Sequence, residues 1–198
     1  MKQGWIVILL AFSLALGINC SSPVYKNPHI EIRTKMGDIE LELFPDKAPK
    51  TVAAFLSYID SGFYKNSNFY RVLNMDNQPS NAPKSELIQG GLFRSRTRKN
   101  TNPPGIAHET TQQTGILHKN GTISLARLAP GTANTEFFIC VGDQPGFDFG
   151  GENNPDGQGY AAFGKVISGL DVIRKVYNQR EEDQYFNPPV EIHDIIKL

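Results

Sequence analysis

Two stretches near the start of the chain, His29-Ile30-Glu31-Ile32-Arg33-Thr34 and Ile39-Glu40-Leu41-Glu42-Leu43, alternate apolar and polar residues. Strand side chains point to opposite faces in turn, so each stretch predicts a β-strand with one dry and one wet face, and Gly37-Asp38 predicts the turn of a hairpin. From Thr51 to Ser61 the period changes. Val52, Phe55, Leu56 and Ile59 recur at helical spacing, and Gly62 follows as a stop. Short apolar runs return at Phe69–Leu73, Leu87–Gln89, Thr122–Ala126, Phe137–Val141 and Ala161–Val166, with Asn120-Gly121 as a tight turn before the third of them. Val172, Ile173 and Val176 predict a second helix over Leu170–Tyr177, and Val190–Ile196 closes the chain as a strand. Many short strands, two helices and no regular strand–helix alternation predict a mainly β, antiparallel barrel or sandwich.

Two polar segments, Asn74–Ser85 and Phe93–Gln113, carry neither period. Loops of that length within a compact domain tend to be functional or mobile. At the other extreme, Trp5–Gly17 is apolar except for Ser13 and follows Lys2. The run is short for a membrane span of about twenty residues but suits the apolar core of a secretory signal. Leu16-Gly17-Ile18-Asn19-Cys20-Ser21-Ser22 resembles a bacterial lipoprotein signal, although Leu16 lies one position further from the cysteine than usual. Residues 1–19 are therefore read as a signal peptide that is removed, 20–28 as a lipid-carrying Cys20 and polar tether, and 29–198 as the folded domain. Ordinary cleavage without lipid and an uncleaved anchor are the alternatives.

Charge and composition narrow the function. Twenty Lys+Arg balance twenty Asp+Glu in 198 residues, so the chain lacks the overall basic footprint of a nucleic-acid binder. Two cysteines do not make a disulfide scaffold, and Cys140, inside an apolar run, reads as a small buried hydrophobe. His108-Glu109 and His118 lack metal-ligand spacing, and Gly150–Gly159 lacks the acidic pattern of a calcium loop, so no metal is expected. Ser124 has no Gly-x-Ser-x-Gly context for a nucleophile. Arg94–Lys99 reads as a solvated cationic loop.

Five ordered motifs carry a more specific signal: Phe44-Pro45-Asp46-Lys47-Ala48-Pro49-Lys50-Thr51, Phe69-Tyr70-Arg71-Val72, Leu87-Ile88-Gln89-Gly90-Gly91, Thr122–Arg127 leading into Thr135–Ile139, and Gly159–Val166. In order and approximate spacing they resemble the cyclophilin peptidyl-prolyl cis/trans isomerases, over about Ile30 to Leu198. The resemblance implies a closed eight-stranded antiparallel barrel capped by two helices, with the active groove on its outer surface. It implies that Arg71 is the catalytic arginine, Gln89 the groove glutamine and Phe138 the floor of the proline pocket. Leu87, Ala126, Phe147 and Tyr160 would complete the substrate-binding surface. Glu86 stands where the family often has a pocket phenylalanine, and Arg127 and Glu136 replace a usual Asn and Gln. Glu86 would either weaken binding or pair with Arg127 across the groove.

The implied reaction makes no bond and needs no cofactor. Its partners would be proline-containing polypeptides, met in the envelope by an exported, lipid-anchored monomer facing the bacterial periplasm. The alternative is a binding module or holdase chaperone of the same fold with little turnover.

Overall fold

A computed structural model describes residues 25–95 and 103–198. The predicted alternation of the first hairpin is realised in β1 (His29–Thr34) and β2 (Gly37–Leu43), where Ile30, Ile32, Ile39, Leu41 and Leu43 are all fully buried. Each such side chain contributes roughly 1.5–3 kcal/mol relative to exposure. Helix α1 (Pro49–Asp60) follows, then β3 (Ser67–Leu73), β4 (Leu87–Gly91), α2 (Thr111–Thr114), β5 (Thr122–Leu125) and β6 (Phe137–Cys140). The chain continues through a 3₁₀ turn at Pro145–Phe147, β7 (Ala161–Ser168), α3 (Leu170–Tyr177), β8 (Glu181–Glu182) and β9 (Tyr185–Lys197).

Antiparallel pairing runs β1-β2-β7-β5-β6-β4-β3-β9, and β9 returns to β1, so eight strands close into the expected barrel. The helices sit at opposite ends of β2. Helix α1 follows its Leu43 end and inserts Phe55 among Tyr64, Phe137 and Phe163, with ring centroids 5.0–5.7 Å apart. Helix α3 lies at the Gly37 end and buries Val172, Ile173 and Val176.

Three features depart from the expected pattern. A third helical turn, α2, lies in the segment read as loop, and it is closed by a capping box between Thr110 and Gln113. The same segment caps α1 from a distance: the Glu109 carboxylate accepts from the backbone N–H of Lys50 (3.1 Å) and Thr51 (2.8 Å) and from the Thr51 hydroxyl (2.7 Å). A carboxylate there satisfies unpaired donors and faces the positive end of the helix dipole. Finally, the last strand begins at Tyr185 and folds back on β8 through Asp183 and Gln184, both at positive φ (53° and 72°). The polar Glu181–Gln184 run carries no apolar period to reveal this hairpin.

Candidate active site

Strand register lays three predicted site residues in a row. Arg71 faces Gln89 across β3 and β4, and Gln89 faces Phe138 across β4 and β6. A bulge in β3 turns Arg71 outward. Phe69 and Val72, three residues apart, both point into the core, because both pairings of β3 shift register between Phe69 and Arg71. Without the extra residue, Arg71 would share the inward face of Phe69. On β4, Ile88 points in while Leu87 and Gln89 point out; on β6, Phe137 and Ile139 point in while Phe138 and Cys140 point out.

The outward apolar residues Leu73, Leu87, Phe138, Cys140 and Phe147 form a second cluster on the barrel wall, with Ala126 and Tyr160 packed on it. A cavity of about 520 Å³ opens over this cluster. Arg71, Leu87, Gln89, Ala126, Arg127, Glu136, Phe138, Phe147 and Tyr160 all line it, together with Leu73, Phe93, Leu128, Thr132 and Asn134, which sequence reading did not single out. Phe138, Phe147 and Tyr160 make an apolar corner of rings with centroids 5.2–5.3 Å apart, mutually edge to face.

Behind that corner, His118 stacks on Phe138 and shares its nitrogens between Asp148 (Nδ1 to Oδ1, 2.7 Å) and Ser124 (Nε2 to Oγ, 3.0 Å). The constellation has the residue types of a hydrolytic triad. Ser124 and His118 are nevertheless buried beneath Phe138, so the network braces the pocket floor and presents no nucleophile to the groove.

The two groove arginines differ in their partners. Arg127 donates to Asp156 from Nη1 (2.6 Å) and Nη2 (2.8 Å), and to the Gly159 carbonyl from Nε and Nη2. Its guanidinium lies 5.4 Å from the Tyr160 ring centre and holds the Asp156 carboxyl down to about 2. Arg71 instead meets amides. Its Nη1 donates to Gln89 Oε1 (3.3 Å), and Nε and Nη2 donate to Gln184 Oε1 (3.2 and 2.6 Å). Gln89 Nε2 in turn donates to the Tyr70 hydroxyl (2.6 Å), whose pKa is pushed far up, chiefly by burial. Among the described residues Arg71 therefore has no carboxylate in an ion pair with it, while Arg127 is paired.

One acidic residue, Glu86, takes a place other than the one expected. Glu86 is absent from the groove lining and forms no pair with Arg127. It accepts from the Tyr177 hydroxyl (2.6 Å) in a separate polar pocket beside Asn74 and Asp76. The reason is its position just before β4, on the side opposite the outward Leu87, where it meets helix α3 at the barrel end. Glu136 does border the groove, but its Oε1 accepts from the backbone N–H of Leu92 (3.0 Å) and Phe93 (3.2 Å) and from the Thr135 hydroxyl (3.1 Å). Burial raises its pKa. His108 meets the Gln158 carbonyl (3.1 Å), and Cys20 and most of the Arg94–Lys99 run lie outside the described residues.

Comparisons with known proteins agree with this architecture. The peptidyl-prolyl cis-trans isomerase of Acinetobacter baylyi is 34% identical over 163 residues, 82% of this chain and 78% of that protein. Peptidyl-prolyl cis-trans isomerase B of Escherichia coli is 36% identical over 148 residues, covering 74% and 82%. Peptidyl-prolyl cis-trans isomerase A of Dickeya dadantii is 35% identical over 189 residues, covering 92% and 90%. A crystal structure of a cyclophilin type isomerase from Cryptosporidium parvum shares the fold at a TM-score of 0.67 and 23% identity, covering 87% of this chain and 98% of that one. The same protein has been solved in the presence of the dipeptide Ala-Pro. The model of the family described as cyclophilin type peptidyl-prolyl cis-trans isomerase/CLD matches residues 29–197, and the chain belongs to that family.

Proposed function

We propose that the groove rotates X-Pro peptide bonds in polypeptide segments, with Arg71 as the catalytic group, Gln89 as its orienting partner and Phe138 as the floor of the proline pocket. The observation that carries this reading is the Arg71 guanidinium, held by amides and in no ion pair with a carboxylate among the described residues, beside an apolar aromatic corner.

The barrier arises from amide resonance, roughly 18–20 kcal/mol for an ordinary peptide bond, and X-Pro bonds populate both isomers but exchange over tens to hundreds of seconds. Phe138, Phe147, Leu87 and Tyr160 offer the proline ring an apolar seat. With the ring held, twisting the bond makes the imide nitrogen pyramidal and localises its lone pair. A guanidinium donor meets that lone pair in the transition state but has no equivalent in the planar ground state, so the interaction lowers the barrier. Ala126, Arg127 and Glu136 border the path of the flanking residues. Arg127 shapes that wall through Asp156 and the Gly159 carbonyl.

Substrates on this reading are proline-containing segments of envelope proteins, met by an exported monomer tethered through lipid on Cys20. The apolar run before Cys20 and the polar residues after it support the tether. Isomer exchange in a short X-Pro peptide, followed by NMR, tests the site. Arg71→Ala is expected to lower kcat about a hundredfold, the cost of removing a donor aimed at transition-state charge. Unchanged turnover in that variant overturns the assignment, and peptide binding without turnover in the wild type favours a binding module instead.

A further inference from the structure

We propose that Gln184 is a positioning residue for Arg71, and that its side chain ties the arginine's orientation to the ordered segment 74–85. The proposal rests on the reading of Arg71 as the catalytic group.

Gln184 is reached by Arg71 across 113 positions of sequence, and its two amide ends face different parts of the molecule. Oε1 accepts from Arg71 Nε (3.2 Å) and Nη2 (2.6 Å), engaging the side of the guanidinium not held by Gln89. Nε2 donates to the backbone carbonyl of Asn77 (3.0 Å). The residue itself is fixed: its N–H donates to Glu181 Oε2 (2.8 Å), and its carbonyl accepts from the N–H of Val72 (2.8 Å), next to Arg71.

The segment at the far end of this link is a knot of hydrogen bonds. Asn74 Oδ1 accepts from the N–H groups of Asp76 and Asn77 (both 2.9 Å), and Asn77 Nδ2 donates to the Val72 carbonyl (3.1 Å). Gln78 bridges the segment's two ends, donating to the carbonyls of Asn74 (2.6 Å) and Ser85 (2.8 Å) and accepting from the Ser85 N–H (3.2 Å). No residue from 74 to 86 lines the groove cavity. The segment reaches the reacting centre only through what it holds.

The chemistry favours an amide in this role. A long arginine side chain samples many rotamers, and a planar fork engaged from two sides is confined to one orientation. A carboxylate at position 184 would grip as firmly but would cancel much of the charge that the twisted imide nitrogen needs, as Asp156 does for Arg127. Two glutamine carbonyl oxygens orient the guanidinium and leave its charge intact.

NMR exchange on an Ala-Pro-containing peptide, with kcat and KM separated, provides the test. Gln184→Ala is expected to lower kcat about tenfold, the scale of coupling between residues in direct contact, with KM changed less than about twofold. The Arg71 Nε–H resonance should lose its protection from solvent exchange in the same variant. In an Arg71→Ala background the Gln184 change should cost nothing further. Gln78→Ala, which touches neither Arg71 nor the groove, should lower kcat about threefold in the wild type and leave Gln184→Ala unaltered.

Normal kcat in Gln184→Ala, alongside a loss in Arg71→Ala, overturns the positioning role and spares the catalytic one. Equal losses with and without Arg71 also overturn it, since they indicate general damage to the fold. Normal kcat in Gln78→Ala overturns the link to the segment, and normal kcat in Arg71→Ala overturns the site reading on which all of this stands.

Discussion

Glu136 borders the groove, yet its carboxylate is turned into the chain behind it, where Oε1 holds the backbone of Leu92 and Phe93. Its other oxygen, Oε2, is buried too. Burial therefore favours the protonated acid and raises the pKa above the ordinary 4.5. The folded protein then binds this proton more tightly than the unfolded chain. The contribution to stability is full below pH 4.5 and is lost as pH rises through the raised folded value. Glu136→Gln keeps an acceptor for the two N–H groups and removes the charge. Urea unfolding at pH 5 and pH 8 should show the wild type losing stability between the two, and the variant losing less. At this scale the place of Arg71, Gln89 and Phe138 in the groove lining was legible, because each sits within a distinctive run of neighbours. Gln184 was not, because its partner is 113 positions away and its own neighbours are an unpatterned Glu-Glu-Asp. Glu86 was misplaced because a matched motif position says nothing about which way a side chain leaves the strand end.

Strand β4 carries the groove glutamine, and its spacing from its neighbours depends on Gly90. A Cβ at that position would lie 2.9 Å from the Phe69 ring, 3.1 Å from the Asn68 carbonyl and 3.2 Å from the Phe137 ring. These are rigid core groups, so Gly90→Ala is expected to cost about 1–3 kcal/mol of stability by overpacking. The same shift would move adjacent Gln89 relative to Arg71, and thermal unfolding read beside turnover should show both losses. Strand periods and helix stripes were visible in the sequence because burial imposes them, and helix α3 was read with the bounds it has. What escaped was held by polar contacts: the bulge in β3, the distant cap on α1, and the knot at 74–85. A hydrogen bond between residues far apart leaves no period to detect.

Across the whole molecule the groove lies on the outer wall of a barrel whose interior is filled by its own core, so substrate is met from outside. The described domain begins with Tyr25 stacked on His29, ring centroids 3.6 Å apart, at the foot of β1. The proposed lipid on Cys20 would leave only a short tether before that point. Mass analysis of the envelope-extracted protein should give an N-terminal peptide starting at a diacylated Cys20, and Cys20→Ala should abolish incorporation of labelled fatty acid. An unmodified start at Ser21 would reject the tether while leaving the isomerase reading intact. Neither outcome depends on the fold, which was legible as an eight-stranded barrel only through the ordered motifs, since alternation alone allowed a sandwich as well.

Closure of the barrel through β1 and β9 leaves the ring of eight strands without a long open edge. An open sheet would expose a rim of unpaired N–H and C=O groups onto which an unfolded segment could add as another strand. Here the eight strands of the ring satisfy one another, and the outlying pair Glu181–Glu182 is two residues long and acidic. An extended polypeptide thus finds little unpaired backbone on this barrel to which it could add as a further strand.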